Sequence, residues 1–510
     1  MTINLKETPE ISYAKKMLNR FGDQILLAKT QSSESEAGAS PLQGKDGIPY
    51  TLDLDSGRWN RPGAEFKAMF YRLVEEEYAE LKTVGMDKDA DKALKVQTAE
   101  NARKVARNLY PVYLLEPEKY PDVTFCFAEQ IDESPIHIGA PNGIIELTTG
   151  RLLSPEEGRK HLVSATIRDP YDPEAAHPDT ERLFSHLSPE LRSDVLSQIA
   201  FSLFGRPSRR FGVWQGPKAS GKSTVIEALI QAFYNYVGIL SEGAFSPKRG
   251  SQASDSANQD MTSVMPPVRL AFTDEMESVR VDSGRIKALV GGSTHRYREL
   301  YGKHKEQVPS ATPIFVGNSA PYMGLSDAAV ADRLFATQWP EIKDRAQHMA
   351  SAFGHKSTQE GAQVRRQALV AKIIRLCTGL NPDAVPIMSD GSESFKAQIV
   401  EDGLSDVEEA LKNNVQLTGN VDHKLGTVAI YDAVIAALGD PKNKPTKKHI
   451  TECVKKVFDL PPASRMTIAG HATRGWRGLR LIDDGDKPFV EYDDDDVEEL
   501  KAWSERFGAE

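Results

Sequence analysis

The sequence predicts an α/β nucleotide-binding core with further domains on either side, and three stretches predict it. The first is Gly216-Pro217-Lys218-Ala219-Ser220-Gly221-Lys222-Ser223-Thr224. It sits between an apolar run, Phe211-Gly212-Val213-Trp214, and a stretch whose Val225, Ile226, Ala228, Leu229, Ile230 and Phe233 recur at helical spacing. Strand, glycine-rich loop and helix, in that order, is the context a phosphate-binding loop requires. The second stretch is Val268-Arg269-Leu270-Ala271-Phe272-Thr273, an apolar strand that ends in Asp274 and Glu275. The third is Pro313-Ile314-Phe315-Val316-Gly317, a strand that ends at Asn318.

Each element carries its own chemistry. Glycines let the loop turn tightly, so that the backbone N–H groups from Gly216 to Thr224 point inward and cradle the phosphates of ATP. Lys222 reaches the β- and γ-phosphates, and the hydroxyl of Ser223 is a ligand for Mg²⁺. Asp274, at a strand end beside the loop, holds Mg²⁺ through water. Glu275 orients and deprotonates the attacking water. Asn318 is expected to sense the γ-phosphate or position that water, although an ordinary turn is the commonest use of Asn after a strand. Arg333, in Asp332-Arg333-Leu334-Phe335, is a candidate finger that neutralises charge on the γ-phosphate, and a neighbouring subunit can supply such a finger.

Between the acidic pair and Asn318 lie Ile286-Lys287-Ala288-Leu289-Val290-Gly291-Gly292-Ser293 and then a segment of interleaved basic and aromatic residues from Arg296 to Lys305. Basic side chains neutralise backbone phosphates and aromatic rings stack on bases, so Arg298, Lys303, His304 and Lys305 are candidates for binding single-stranded DNA. A solvated charged hairpin is the alternative. The segment runs into the strand that carries Asn318, so a change at the γ-phosphate is expected to move it.

The rest of the chain frames this core. At 510 residues it has room for about three domains. Its net charge of −10 argues against a protein that coats DNA over its whole surface, though not against a local basic channel. No apolar stretch is long enough to cross a bilayer, Met1 to Arg20 lacks the apolar core of a signal peptide, and Cys126, Cys377 and Cys453 form no CxxC pair. A cytoplasmic protein without disulfides or a cysteine zinc site fits these features. In order along the chain we expect a short helix around Tyr13–Phe21, a loop over 31–47 and a turn at Asp55–Trp59. An amphipathic helix through Phe66, Met69, Phe70, Leu73, Val74, Tyr78 and Leu81 follows, then a helix over Asp91–Leu109 and short strands over Pro121–Pro173. Helices are expected over Leu183–Phe204, a surface loop over 241–262, helices from about Pro340 to Leu417 and a small domain over Leu425–Asp484. The run Asp493–Asp496 suits either the N-terminus of a final helix or a solvated tail.

The order of these motifs between Gly216 and Arg333 resembles the superfamily three helicases, and more narrowly the helicase part of phage, plasmid and poxvirus-type primase-helicases. Asn142-Gly143-Ile144-Ile145-Glu146-Leu147-Thr148-Thr149-Gly150 and Asp169-Pro170-Tyr171-Asp172-Pro173 are similar to that family's signature ahead of the ATPase. Lys287-Ala288-Leu289-Val290-Gly291-Gly292 is similar to another of its elements, with Val290 in place of the usual Thr. Arg474-Gly475-Trp476-Arg477-Gly478-Leu479 resembles its closing strand. The chain departs from the family in having Asp332 where a first arginine is frequent, and Ser220 where Asn is common. The resemblance implies an AAA+-like ATPase over 181–345 and an α+β collar-like domain over 1–180. It further implies a helical region over 346–420, a winged-helix-like domain over 421–485 and an acidic tail over 486–510. It leaves no room for a primase domain. It implies an ATP- and Mg²⁺-dependent replicative DNA helicase in a bacterial host's cytoplasm, working as a hexameric ring on single-stranded and forked DNA. A separate primase or initiator protein is an implied partner. In such rings the segment Tyr297–Gln307 is a hairpin that enters the central channel, with Gly302 at its turn. The rival expectation is a nucleotide-switched initiator or loader that binds DNA without unwinding it. Lys447, Lys448, Lys455 and Lys456 are candidates for duplex phosphate contacts, or form a solvated basic face.

Overall fold

A strand of six residues, Thr312–Gly317, buried along its whole length, forms the middle of the molecule's parallel sheet. The computed structural model describes residues 8–29, 47–206, 209–240, 244–245, 259–273, 281, 283–298, 304–318, 328–343, 359–402, 406–438, 445–468 and 471–482. Residues 31–46 of the expected loop over 31–47 and the acidic tail lie outside them, and Gly47 begins a strand. Two compact units divide the described residues: the first holds those up to 273, 284–318 and 333–395, and the second holds 281, 283, 328–332 and 396–482.

The first unit opens with α1 (Pro9–Phe21), capped by the Thr8 hydroxyl, which accepts from the Ile11 amide. Strands β1 (Ile25–Lys29), β2 (Gly47–Leu52) and β3 (Trp59–Asn60) follow, then helices α2 (Ala64–Thr83), α3 (Asp87–Lys95) and α4 (Ala99–Leu115), and strand β4 (Thr124–Phe127). The sheet runs β3-β2-β1-β4, with β1 and β4 parallel and the other pairs antiparallel. Phe66 and Phe70 of α2, Val105 and Leu109 of α4, and Met17 of α1 share one apolar cluster with Ile25 and Leu27 of β1. The single helix expected over Asp91–Leu109 is two helices. Thr98 breaks it, because its hydroxyl caps α4 by accepting from the Asn101 amide at 3.1 Å.

An antiparallel meander comes next, β5 (His137–Ala140), β6 (Gly143–Glu146) and β7 (Arg151–Leu153), with helices α5 (Pro155–Gly158), α6 (Pro178–Arg182) and α7 (Pro189–Leu203). The nucleotide-binding part contains β8 (Phe211–Gln215), α8 (Lys222–Phe233), β9 (Val237–Ile239), β10 (Leu270–Phe272), α9 (Ser283–Val290), β11 (His295–Arg298), β12 (His304–Gln307), β13 (Thr312–Gly317) and β14 (Leu334–Gln338), while α10 (Ala328–Ala331) falls in the second unit. Five of these strands are parallel, in the order β14-β8-β13-β10-β9. Helices α11 (Gln359–Cys377) and α12 (Asp390–Asp402) follow.

One apolar cluster joins the sheet to its neighbours. Trp214, Leu270, Phe272, Ile314 and Val316 pack with Ile199 of α7, Val225 and Leu229 of α8, and Leu369 and Ile373 of α11. Ile138, Ile145 and Leu147 of the meander belong to the same cluster. Residues on both sides of position 180 and residues of α11 share this cluster. Polar clamps fix α11 from outside. Arg366 grips Asp169 through two bonds of 2.6 and 3.1 Å, Gln367 donates to the Pro170 carbonyl, and Arg365 donates to Asp179 at 2.7 Å.

Arg269, counted in the sequence as part of an apolar strand, is wholly buried. Its guanidinium donates to the carbonyls of Phe204, Asp132 and Ser134. Gly205, at φ +57°, makes the space: a Cβ there would lie 1.3 Å from Arg269 Nη1. Met261, inside the stretch expected to be a surface loop, is likewise buried on a 3₁₀ turn at Gln259–Val264.

The second unit contains α13 (Asp406–Asn414), β15 (Val415–Leu417), β16 (Lys424–Gly426), α14 (Thr427–Ala437), α15 (Lys447–Val457), β17 (Ser464–Ile468), β18 (His471–Arg477) and β19 (Leu479–Leu481). The antiparallel sheet β16-β18-β17 and the pair β15–β19 close over Leu411, Ile430, Val454 and Trp476. The Trp476 ring nitrogen donates to the Pro461 carbonyl at 2.7 Å. Cys126, Cys377 and Cys453 are buried and form no disulfide. Among the described residues no helix is long and apolar enough to cross a membrane, and no cluster of His, Cys, Asp and Glu is built to hold a metal.

Candidate nucleotide site

Strand β8 lies between β14 and β13 and is buried from Phe211 to Trp214, so its carboxyl end is held firmly. There the chain enters the loop Gly216–Gly221. The chain order reverses across this sheet, and in open α/β sheets ligands bind at the carboxyl ends of the strands beside such a reversal. Gly216 is fixed by packing: a Cβ would lie 2.4 Å from the Trp339 carbonyl oxygen. Ala219 at φ +66° and Gly221 at φ +85° are both left-handed. For alanine that conformation costs about 1–2 kcal/mol, strain that a functional loop retains when its surroundings over-determine it.

Helix α8 starts at Lys222, and no side chain caps it at Gly221. Its first-turn amides and the positive end of its dipole are therefore presented to the loop, the arrangement that binds phosphate. Lys222 is buried, and its ammonium donates to Gly216 O at 2.6 Å, Pro217 O at 3.3 Å and Ser220 Oγ at 2.7 Å. It occupies its own loop, pairing with carbonyls that are weaker acceptors than phosphate oxygens. Ser223 is exposed and Thr224 half-buried on the first turn of α8. The uncapped helix, the close-packed glycine and a buried ammonium turned onto the loop's own oxygens together fit a nucleotide polyphosphate. Ser223, the expected Mg²⁺ ligand, stands on the first turn of that helix.

Asn318 follows β13 directly, and the Gly216 amide donates to the Gly317 carbonyl beside it at 3.2 Å. Asn318 lines an open cleft of about 430 Å³ with Gln215, Gly216, Pro217, Gln338, Trp339 and Pro340. The structure thus brings Lys222 and Asn318 to the same end of the sheet. Asp274 and Glu275 lie outside the described residues. Thr273, just before them, is hooked to β13: its amide donates to Ile314 O at 3.0 Å, and its hydroxyl accepts from the Val316 amide at 2.8 Å.

Arg333 sits elsewhere. Leu334 pairs with Phe211 and Gln338 with Gln215, so Arg333 precedes the strand at the end opposite the loop, where its carbonyl accepts from the Phe211 amide at 2.9 Å. Five residues of strand separate it from the loop's end of the sheet, roughly 16 Å at about 3.3 Å per residue. The site of its own chain is out of its reach.

The basic segment is a hairpin. β11 and β12 pair antiparallel, His295 with Gln307 and Arg298 with His304. Lys303 and the side chains of Arg298 and His304 lie outside the described residues. Lys305 is half-buried, with its ammonium 6.0 Å from the centre of the Tyr297 ring. Tyr297 is buried and its hydroxyl donates to Gln307 Oε1 at 2.5 Å, so this aromatic is not free to stack on a base. The expected coupling of the γ-phosphate to the hairpin would pass through β13. That strand is laddered on both sides and buried throughout, and sliding it would break both ladders.

Sequence reasoning missed the strap that covers the loop. The Trp339 amide donates to Gln215 O at 2.7 Å, and the Ile342 amide donates to Ala219 O at 3.2 Å. His186 and Ile342 flank Gly221, each about 3 Å from where a Cβ would stand. The signal was faint: a Trp-Pro pair after an apolar strand.

A family model described as "D5 N terminal like" matches residues 38–188, from ahead of β2 to the cap of α7. Comparison with curated proteins gives no match. Among solved structures the chain is similar to the apo structure of the NrS-1 C-terminal region, at 11% identity and a TM-score of 0.38, covering 93% of this chain and 100% of that one. The A form of the same region gives 12% identity and a TM-score of 0.33 over 72% of this chain and 89% of that one. A crystal structure of the JCV helicase bound to a small molecule gives 11% identity and a TM-score of 0.27 over 44% of this chain and 59% of that one. At TM-scores this low the likeness carries no argument.

Proposed function

We propose that this chain is an ATP- and Mg²⁺-dependent DNA helicase of the superfamily three type, a replication protein of a phage, plasmid or related element that works as a ring. The observation that carries the reading is the division of the site between two ends of one sheet. Lys222, the uncapped start of α8 and Asn318 gather at one end, and Arg333 stands at the other. A finger that cannot reach its own loop serves the loop of the next subunit, and repeating that head-to-tail contact closes a ring.

Bound ATP supplies the reactive anhydride, and Mg²⁺ screens the charge of its phosphates. Lys222 exchanges the carbonyls of Gly216 and Pro217 for phosphate oxygens, and Ser223 and Asp274 hold the metal. Glu275 takes the proton of the attacking water, Asn318 aligns it, and Arg333 of the neighbouring subunit neutralises charge as the phosphoryl group departs. Arg298, Lys303, His304 and Lys305 on the hairpin grip the backbone of single-stranded DNA. That grip is sequence-tolerant and weakens with salt. Helices α14 and α15 and the β17–β18 hairpin form a winged-helix-like region whose exposed Lys447 and Lys448 take duplex phosphates.

Strand displacement on a forked duplex is the test. Unwinding that needs both ATP and Mg²⁺ supports a helicase. ATP-dependent DNA binding without displacement replaces it with an initiator or loader.

A further inference from the structure

The two strands of the basic hairpin both rest on 3₁₀ turns, β11 on Gln259–Val264 and β12 on Ala128–Gln130, but they join the chain differently. The outgoing strand β11 is reached through Gly291, Gly292, Ser293 and Thr294, all exposed, with Gly292 at φ +76° and nothing within 4 Å of where its Cβ would be. The returning strand β12 is pinned. Gln307, its last residue, donates from Nε2 to the Glu129 carbonyl at 2.9 Å, and its Oε1 accepts from the Tyr297 hydroxyl. Three residues on, the Ser310 amide donates to Val264 O at 2.9 Å, and the Ser310 hydroxyl donates to Val268 O at 2.7 Å. Glu129 lies on the 3₁₀ turn Ala128–Gln130 that follows β4, within the part of the chain matched as "D5 N terminal like".

We infer that Gln307 is a positioning residue, the fulcrum of the hairpin: its carboxamide ties the returning strand to the N-terminal part of the chain. Movement then enters through the exposed connection 291–294 that follows α9 and tilts the hairpin about Gln307. It does not travel along β13, which is locked on both sides. Force from DNA at the hairpin tip is borne by the turn at Glu129. This inference rests on the proposal that the hairpin grips DNA.

Three variants separate the two bonds of Gln307. Gln307→Glu keeps the acceptor for Tyr297 and loses the donor to Glu129. Tyr297→Phe keeps the donor to Glu129 and loses the Tyr297 bond. Gln307→Ala loses both. The readout is strand displaced per ATP hydrolysed, measured beside ATP turnover without DNA and single-strand affinity. The fulcrum predicts that Gln307→Glu and Gln307→Ala lose about fivefold or more in displacement per ATP, the scale of one partly buried hydrogen bond. Turnover without DNA should stay near wild type, and Tyr297→Phe should behave as wild type. Full coupling in Gln307→Glu overturns the fulcrum. So does an equal loss in Tyr297→Phe, which would make the carboxamide a stiffener of the hairpin only. Lys303→Ala/His304→Ala serves as the reference. If that variant also unwinds normally, the DNA grip itself is wrong and the fulcrum falls with it. If it fails while Gln307→Glu is intact, the fulcrum alone is wrong.

Discussion

The glycine-rich loop at 216–221 and the signature stretch at 142–172 both carry the turn residues Gly, Pro and Ser. Their polar groups have opposite fates. In the signature they satisfy one another. Asn142 exchanges two hydrogen bonds with the Tyr171 backbone at 2.9 and 2.8 Å, the Tyr171 hydroxyl donates to Gly150 O at 3.0 Å, and Asp169 is closed by Arg366. In the loop a helix start has no cap, an alanine is left-handed, and a buried lysine turns its ammonium onto the loop's own oxygens. The first is a fastener and the second is the candidate site. Polar satisfaction separates them where composition does not.

Substitutions sharpen that contrast, and the largest effect belongs to the loop. Lys222→Ala should lower ATP turnover by at least about a hundredfold, the scale of removing one preorganised charge-stabilising group, with no loss of thermal stability. Glu275→Gln should bind ATP and hydrolyse it slowly. Steady-state turnover and nucleotide affinity check both, and wild-type hydrolysis by Glu275→Gln would end its assignment as the base.

In the signature the ranking reverses. Asp169→Ala leaves Arg366 half-enclosed without its partner and should cost about 1–3 kcal/mol of stability, read from denaturant unfolding, while turnover per folded molecule is retained. A variant as stable as wild type but inactive would move Asp169 from fastener to site.

The smallest effect comes from His137, which stacks on His161 at 3.7 Å and whose Nδ1 meets the Ser134 hydroxyl. Burial, reinforced by the neighbouring His161, lowers the pKa of His137 from 6.5 to about 4. The unfolded chain binds the proton first, so the stability due to neutral His137 is full above pH 6.5 and is lost as pH falls toward 4. His137→Gln should flatten the fall in unfolding midpoint over that window. An unchanged slope would show that other groups carry it.

Local pattern made the loop, β8, α8, β13 and the hairpin legible, because apolar periodicity and glycine placement are written in adjacent residues. Asn318 was legible for the same reason, as the polar end of an apolar strand. Arg269 was not: within Val268–Phe272 nothing signals that its head would be spent on three carbonyls from distant segments. The break before α4 turned on a single Thr98 hydroxyl. The strap at Trp339–Ile342 and the inclusion of α11 in the sheet's core depend on contacts between residues far apart in the chain, which periodicity cannot register. The placement of Arg333 opposite its own loop needed the register of β14 against β8.

That placement carries the central claim, and mixing two dead proteins tests it most directly. Arg333→Ala should bind ATP and fail to hydrolyse it, and Lys222→Ala should fail as well. In mixed rings some interfaces pair an intact Lys222 with an intact Arg333 from the neighbour, so the mixture should recover ATP turnover that neither protein has alone. A mixture as inactive as either parent, with mixed assemblies shown to form, would contradict a site divided between subunits.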